Sequence, residues 1–422
     1  MKKTISTLAA FALAATGALS AGAGAADAAS AAPAKKRTGF AFSASGFGTM
    51  VNGGQVPVGS GTSAYQALGC TNKAGKSKRN FVAEEKLGGT ARAENVTTRL
   101  TTLQRGGETA SISRAHVARV ILAESGLGRL QITAVDSVSK AFHKNGFKTS
   151  TETSIGGITF KPIGEPAQNV RIPTPGQPVT VPGLATIAIG DGHQRHTASM
   201  ANAFADGIIV KAIPSGSQIR IANTRAKLEK GVELGLMRGQ SMAARSSLVG
   251  GAVAIGKTPL SLMPCAGTAG KVGVKSVATV PLAQGAELRG LTSRQFGVQT
   301  HRKATAYEFG RVGVAEFGQA DLLIRNVVGK ATVVRTLGGL NRSIKGTQVG
   351  EIEFQGQEQS FDPGQKTIEI PGVAVITKNI VRRTRFGINV IALQVKLLDG
   401  TDVESIINLG EARMAIRRAR VN

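Results

Sequence analysis

The sequence predicts an all-β fold: two similar antiparallel β-sandwich or barrel-like domains from a tandem duplication, with a short helical linker. Three observations predict it. Short runs with apolar residues in strand-like patterns are bounded by Gly and Pro, as at Pro182-Gly183 to Ile189 and Pro371-Gly372 to Thr377. Glycine is abundant, 54 of 422 residues, about one in eight against a usual ~7%. The third observation is self-similarity at long range.

Residues 1–28 read as a secretory signal peptide. Lys2 and Lys3 precede an apolar run from Ile5 to Leu19, and small residues with Ala-x-Ala spacing follow. Residues 29–37, rich in Ala, Pro and Lys, form a flexible leader. The first β domain spans 38–235, the linker 236–244 and the second β domain 245–422. Gly61, Cys70, Gly75, Lys76, Val82 and Ala83 recur as Gly256, Cys265, Gly270, Lys271, Val277 and Ala278, all at an offset of 195 positions. Lys140-Ala141 matches Lys330-Ala331 at 190, and Val210-Lys211 matches Val395-Lys396 at 185. An offset that drifts one way fits a duplication with small deletions, whereas chance matches scatter. Ile208 to Ala222 and Val390 to Ile407 each read as a strand, a tight turn and a strand; the second turn is Asp399-Gly400. The segment Asn223 to Leu248 has the best helical composition in the chain, although Gly231, Gly235 and Gly239 interrupt it. It reads as the last strand of domain one followed by a short helix.

Composition narrows the function. Lys and Arg number 52 against 26 Asp and Glu, a net charge of +26. Such a surface attracts polyanions, and salt weakens that attraction. Aromatics are 4% with no Trp, which disfavours a Trp-built sugar platform and base stacking on single-stranded nucleic acid. No recognisable nucleic-acid fold signature accompanies the charge, so no specific nucleic acid is expected. No apolar run of membrane-spanning length follows the leader, so no transmembrane anchor is expected. The last residues, Arg413 to Asn422, carry neither a hydrophobic tail nor a sorting motif.

Several motifs invite chemistry and fail on context. Gly251 to Thr258 matches the P-loop pattern, but Pro259 follows where a helix must start. Asp191, His193 and His196 lack a fourth metal ligand, and His116, His143 and His301 stand alone. Ser241 is the nearest approach to a nucleophile elbow and lacks the closing Gly. Glu84/Glu85 and Asp399/Asp402 fit surface charge and turn chemistry. No catalytic residue, metal site or cofactor is expected.

Cys70 and Cys265 are the only cysteines and stand at equivalent positions. Export favours their oxidation to one disulfide; two separate buried thiols, one per domain, are the alternative. Candidate polyanion contacts are Arg382, Arg383, Arg385, Arg413, Arg417, Arg418 and Arg420.

The shared pattern is Gly-x-Ser/Thr-Ala near Gly-Cys, then Gly-Lys and Val-Ala. A Thr/Ser/Ala stretch, Ile132 to Val138, Pro-Gly and a closing hairpin complete it. It resembles the secreted choice-of-anchor P proteins of actinobacteria. The resemblance implies an exported β-rich surface or cell-envelope protein and carries no catalytic residues. The expected function is therefore non-enzymatic: binding anionic wall polymer or polysaccharide, or serving as a structural or adhesive surface component. A secreted enzyme or inhibitor acting on envelope polymers and a self-assembling matrix protein are the alternatives.

Overall fold

The computed structural model describes residues 36–52, 62–88, 91–125, 127–190, 192–213, 216–248, 257–281, 286–399 and 402–419. The strands of the first half are β1 (Arg37–Asn52), β2 (Gln66–Lys73), β3 (Ser77–Gly88), β4 (Ala91–Arg105), β5 (Glu108–Ser125), β6 (Gly128–His143) and β7 (Phe147–Pro162). They continue as β8 (Gln168–Val170), β9 (Val179–Val181), β10 (Ala185–Ile189), β11 (Gly192–His196), β12 (Met200–Ala212) and β13 (Gln218–Lys230). The second half begins with β14 (Gly235–Leu248), β15 (Ser261–Leu262), β16 (Gly273–Pro281), β17 (Ala286–Gln299), β18 (Lys303–Phe317), β19 (Leu322–Thr336) and β20 (Leu340–Ser343). It closes with β21 (Ile352–Phe354), β22 (Gln357–Glu358), β23 (Thr367–Ile370), β24 (Ala374–Arg383), β25 (Gly387–Asp399) and β26 (Asp402–Arg418). Among the described residues the one helical turn is Gly318–Ala320.

Every pairing is antiparallel, and the strands form four sheets among the described residues. In the first half one sheet runs β2-β1-β13-β12-β10-β9, with β11 beside β12, and the other runs β3 to β8 in chain order. In the second half the orders are β15-β14-β26-β25-β24-β23 and β16-β17-β18-β19-β21-β22, with β20 beside β19. The strand order is thus the same in both halves. The protein is all-β, with each half's two sheets packed face to face.

Period two explains the packing. Along β6, Leu130 and Ile132 point inward, then Val135, Ser137, Ser139 and Ala141; Ala134, at φ 49°, absorbs the extra residue and shifts the phase. Burying each such aliphatic side chain contributes roughly 1.5–3 kcal/mol. The same phase shift recurs across the molecule. Left-handed residues sit mid-strand at Asn95, Ala134 and Ala222 in one half and at Gly290, Asn326 and Gly410 in the other. At Gly410 the facing sheets approach closely. A Cβ on Gly329 would lie 1.7 Å from the carbonyl oxygen of Gly410, so only glycine fits.

This waist divides each core into two apolar clusters. In the first half the waist is lined by hydroxyls. The Ser111 hydroxyl donates to the Ser43 carbonyl and the Ser113 hydroxyl to the Ser45 carbonyl, both at 2.9 Å, and Ser137 and Ser139 bond the Thr224 hydroxyl at 3.0 and 2.8 Å. Each bond offsets the cost of burying a polar group.

The expected short helix at 236–244 is instead part of β14. It pairs with β26 from Gly235↔Arg418 to Leu248↔Ser405. The Met, Ala and Arg content favours a helix locally, but Met237, Met242 and Ala243 are fully buried between sheets. Tertiary burial overrides a propensity of a few tenths of a kcal/mol per residue, and Gly235 and Gly239 weaken the helical alternative further. Residues 231–234 make the short connection from β13.

Candidate functional site

The two halves meet where β2 lies beside β14. Cys70 ends its approach on β2, Cys265 follows β15, and the two are joined as a disulfide with Cα atoms 5.4 Å apart. Around it Ala41, Val232, Leu236 and Ala419 form a small buried cluster that includes Cys265. Further bonds cross the seam: Glu229 accepts from the Ala266 amide at 2.9 Å, and Arg417 donates to the Cys70 carbonyl at 3.2 Å. The disulfide and these bonds fix the geometry of a groove.

That groove encloses about 390 Å³. One wall is Leu68, Gly69, Cys70 and Thr71 of β2 with Lys76 and Lys78 beyond its turn; the other is Leu236, Arg238, Ala415 and Arg417. Thr384 and Phe386, from the turn joining β24 to β25, close one end. Each cation is placed by local structure. The turn after β2 is held to β4, because the Gly75 amide donates to the Thr102 carbonyl at 2.8 Å and the Lys76 amide to the Thr102 hydroxyl at 3.0 Å. Gly75 takes φ 75° to make that turn. The Lys78 ammonium donates to the Ala67 carbonyl at 2.9 Å. Arg238 and Arg417 are exposed where their strands leave the core. The lining contains four cationic side chains and no carboxylate among the described residues. Chemically, such a concave cationic surface suits an anion bearing several acceptor oxygens.

The sequence-predicted arginines divide by place. Arg417 lines the groove. Arg385 is exposed at its rim, its guanidinium 5.2 Å from the Phe386 ring centroid. Arg382 and Arg383 are exposed at the end of β24, and Arg418 is exposed at the end of β26. Arg413 is engaged elsewhere: it donates to the buried Glu411 carboxylate, Nε to Oε1 at 2.6 Å. Arg420 lies outside the described residues. Lys76, Lys78 and Arg238, which line the groove, were not among the contacts expected from the sequence. The only signal for Arg238 is its position on a strand that composition disguised.

The other motifs resolve as follows. Residues 251–256 and Asp191 lie outside the described residues. Thr258 exchanges backbone hydrogen bonds with Ala244 at 3.0 Å. His193 and His196 are exposed on β11, and His193 stacks on Phe204 with ring centroids 6.1 Å apart. No group of three or more His, Cys, Asp or Glu converges among the described residues. His116 does not stand alone: it shares a 2.9 Å hydrogen bond with Asp136, which raises its pKa above the ordinary value. His143 packs against Phe40 and Phe147, and His301 is exposed in a turn. Ser241 is buried, and its hydroxyl donates to Glu308 at 2.7 Å. Glu84 pairs across strands with Glu94, and the Asp399 and Asp402 backbones pair at a hairpin.

No family model matches the chain, and no curated protein matches it.

Proposed function

We propose that this chain is an exported, non-enzymatic β-protein of the bacterial envelope that binds anionic wall polymer or polysaccharide through the groove between its halves. The observation that carries the reading is the groove's lining of Lys76, Lys78, Arg238 and Arg417 without an acidic side chain among the described residues. A net charge of +26 adds a long-range attraction for polyanions. The leader-like residues 1–28 support export, and a disulfide is at home in an oxidising compartment. The common strand order of the two halves supports their origin by duplication. The resemblance to choice-of-anchor P proteins fits the same address.

The test is sedimentation with isolated cell-wall sacculi across a salt series. Binding should fall as salt rises, and Arg238→Gln with Arg417→Gln should weaken it at every salt concentration. Protein that stays in the supernatant at low salt overturns the reading.

A further inference from the structure

The second half carries another cationic cluster, on the far side of the turn that closes the groove. Arg335 lies at the end of β19, Arg342 in β20 and Arg418 at the end of β26. Register places Arg335 opposite Leu340 and Val333 opposite Arg342, so the two arginines are diagonal neighbours on one face. The Arg335 Nε donates to the Ile416 carbonyl at 2.8 Å, which ties β19 of one sheet to β26 of the other. Arg418 stands two residues beyond Ile416 on β26 and so leaves the strand on the same side. Arg342 donates through Nη2 to the Arg385 carbonyl at 3.0 Å, and its buried Nε has no hydrogen-bond partner.

Two features make this more than charged surface. First, backbone carbonyls hold Arg335 and Arg342, which fixes each guanidinium without neutralising it. Among the described residues none of the three arginines forms an ion pair with a carboxylate. Second, the charges feel one another. Burial lowers the pKa of Arg335 below its ordinary value, and the nearby Arg418 and Arg342 lower it further. Like charges gathered in this way repel unless something compensates them. Two forks held by backbone carbonyls, with the exposed Arg418 beside them, suit a tetrahedral group with several acceptor oxygens better than a planar carboxylate, which one fork saturates.

We propose that Arg335, Arg342 and Arg418 form a binding site for a tetrahedral oxyanion, the phosphoryl or sulfuryl group of a free anion or an ester. The site is distinct from the groove and does not depend on the groove binding polymer.

The test is titration of inorganic phosphate into the full chain, disulfide intact, with ionic strength held constant by chloride. Saturable binding and a rise in Tm are expected, because a ligand that binds only the folded chain stabilises it. Arg418→Gln, an exposed change, should weaken phosphate binding about tenfold or more, and Arg335→Gln and Arg342→Gln should act alike. Arg195→Gln, an exposed arginine of β11 that belongs to neither site, should leave the titration unchanged. Sulfate should bind, and acetate at equal ionic strength should not. Comparing phosphate with glycerol phosphate separates the sources: tighter ester binding assigns the site to a phosphorylated chain, and tighter phosphate binding assigns it to the free ion. The proposal is overturned by unsaturable phosphate binding, by acetate binding as well as phosphate, or by wild-type affinity in Arg418→Gln. If Arg335→Gln fails to fold, Arg418→Gln still decides.

Discussion

Arg417 donates its guanidinium to the carbonyl oxygen of Cys70, 3.2 Å away and 347 positions distant in the chain. The bond spans the seam between the halves and aims a cation into the groove beside Arg238. Because the acceptor is a neutral carbonyl, the charge remains available to an anion. Replacing Arg238 and Arg417 together by Gln should reduce affinity for labelled polyphosphate and flatten its salt dependence. Each lost ionic contact lowers the slope of log affinity against log salt by about one, so the pair lowers it by about two. Fluorescence anisotropy across a salt series reads both quantities. Parallel slopes for wild type and variant would exclude these arginines from the contact.

The Cys70–Cys265 disulfide closes a loop with a sequence separation of 195. The chain-entropy model assigns such a loop roughly 5 kcal/mol of stabilisation, an upper figure because the reduced chain retains structure. Chemical denaturation of the Cys70→Ser/Cys265→Ser variant should therefore show a lower midpoint, with a loss of at most about that size. The same variant frees one groove wall from the other, so polyphosphate affinity should fall although no cation has been removed. Unchanged stability and affinity would mean that the remaining seam contacts suffice alone.

Much of the strand pattern was legible in the sequence, and the site was not. Pro182-Gly183 and Pro371-Gly372 marked the approach to β10 and β24; β10 ends with the expected run at Ile189, whereas β24 continues past Thr377 to Arg383. Period two failed where Ala134 and Ala222 take left-handed conformations, because alanine at positive φ leaves no compositional trace. β14 was disguised by its Met, Ala and Arg content, and only burial against the facing sheet explains its state. Arg413 looks like surface charge in the sequence, yet it serves the buried Glu411 two residues earlier on the same strand face. The groove draws its cations from β2's turn, β3, β14 and β26, so no local motif announces it. Arg335 and Arg342 likewise join Arg418 only through sheet packing.

Glu308 is fully buried, and burial pushes its carboxyl from 4.5 to about 8, although the hydrogen bond from Ser241 opposes the shift. The folded chain therefore holds a proton that the unfolded chain releases. Below pH 4.5 both states bind it, and this group adds no pH dependence. As pH rises from 4.5 towards about 8 only the folded state keeps the proton, so stability falls through that window. Glu308→Gln, which keeps an acceptor for Ser241 and cannot ionise, should flatten the decline and unfold at a higher temperature than wild type at pH 8. Thermal melts from pH 4 to pH 9 test this. A wild-type curve that rises with pH and a variant curve parallel to it would show that Glu308 is ionised in the folded chain.

Gly329 of β19 faces Gly410 of β26 at the waist of the second half. Gly410 holds φ 63°, and a Cβ at position 329 would stand 1.7 Å from its carbonyl oxygen. The obstacle is backbone, flanked by buried Val328 and Leu409, so no side-chain rotation relieves it. Gly329→Ala must separate the two sheets locally and loosen apolar contacts on both sides of the waist. Overpacking of this kind typically costs about 1–3 kcal/mol, and a backbone clash belongs at or beyond the upper end. Gly338→Ala supplies the control, because a Cβ there meets nothing within 4 Å. Thermal unfolding should place Gly329→Ala well below wild type and Gly338→Ala beside it. Equal melting of both variants would mean that the sheets do not approach at Gly329 and Gly410 as closely as described, and the waist would lose its role in dividing the core.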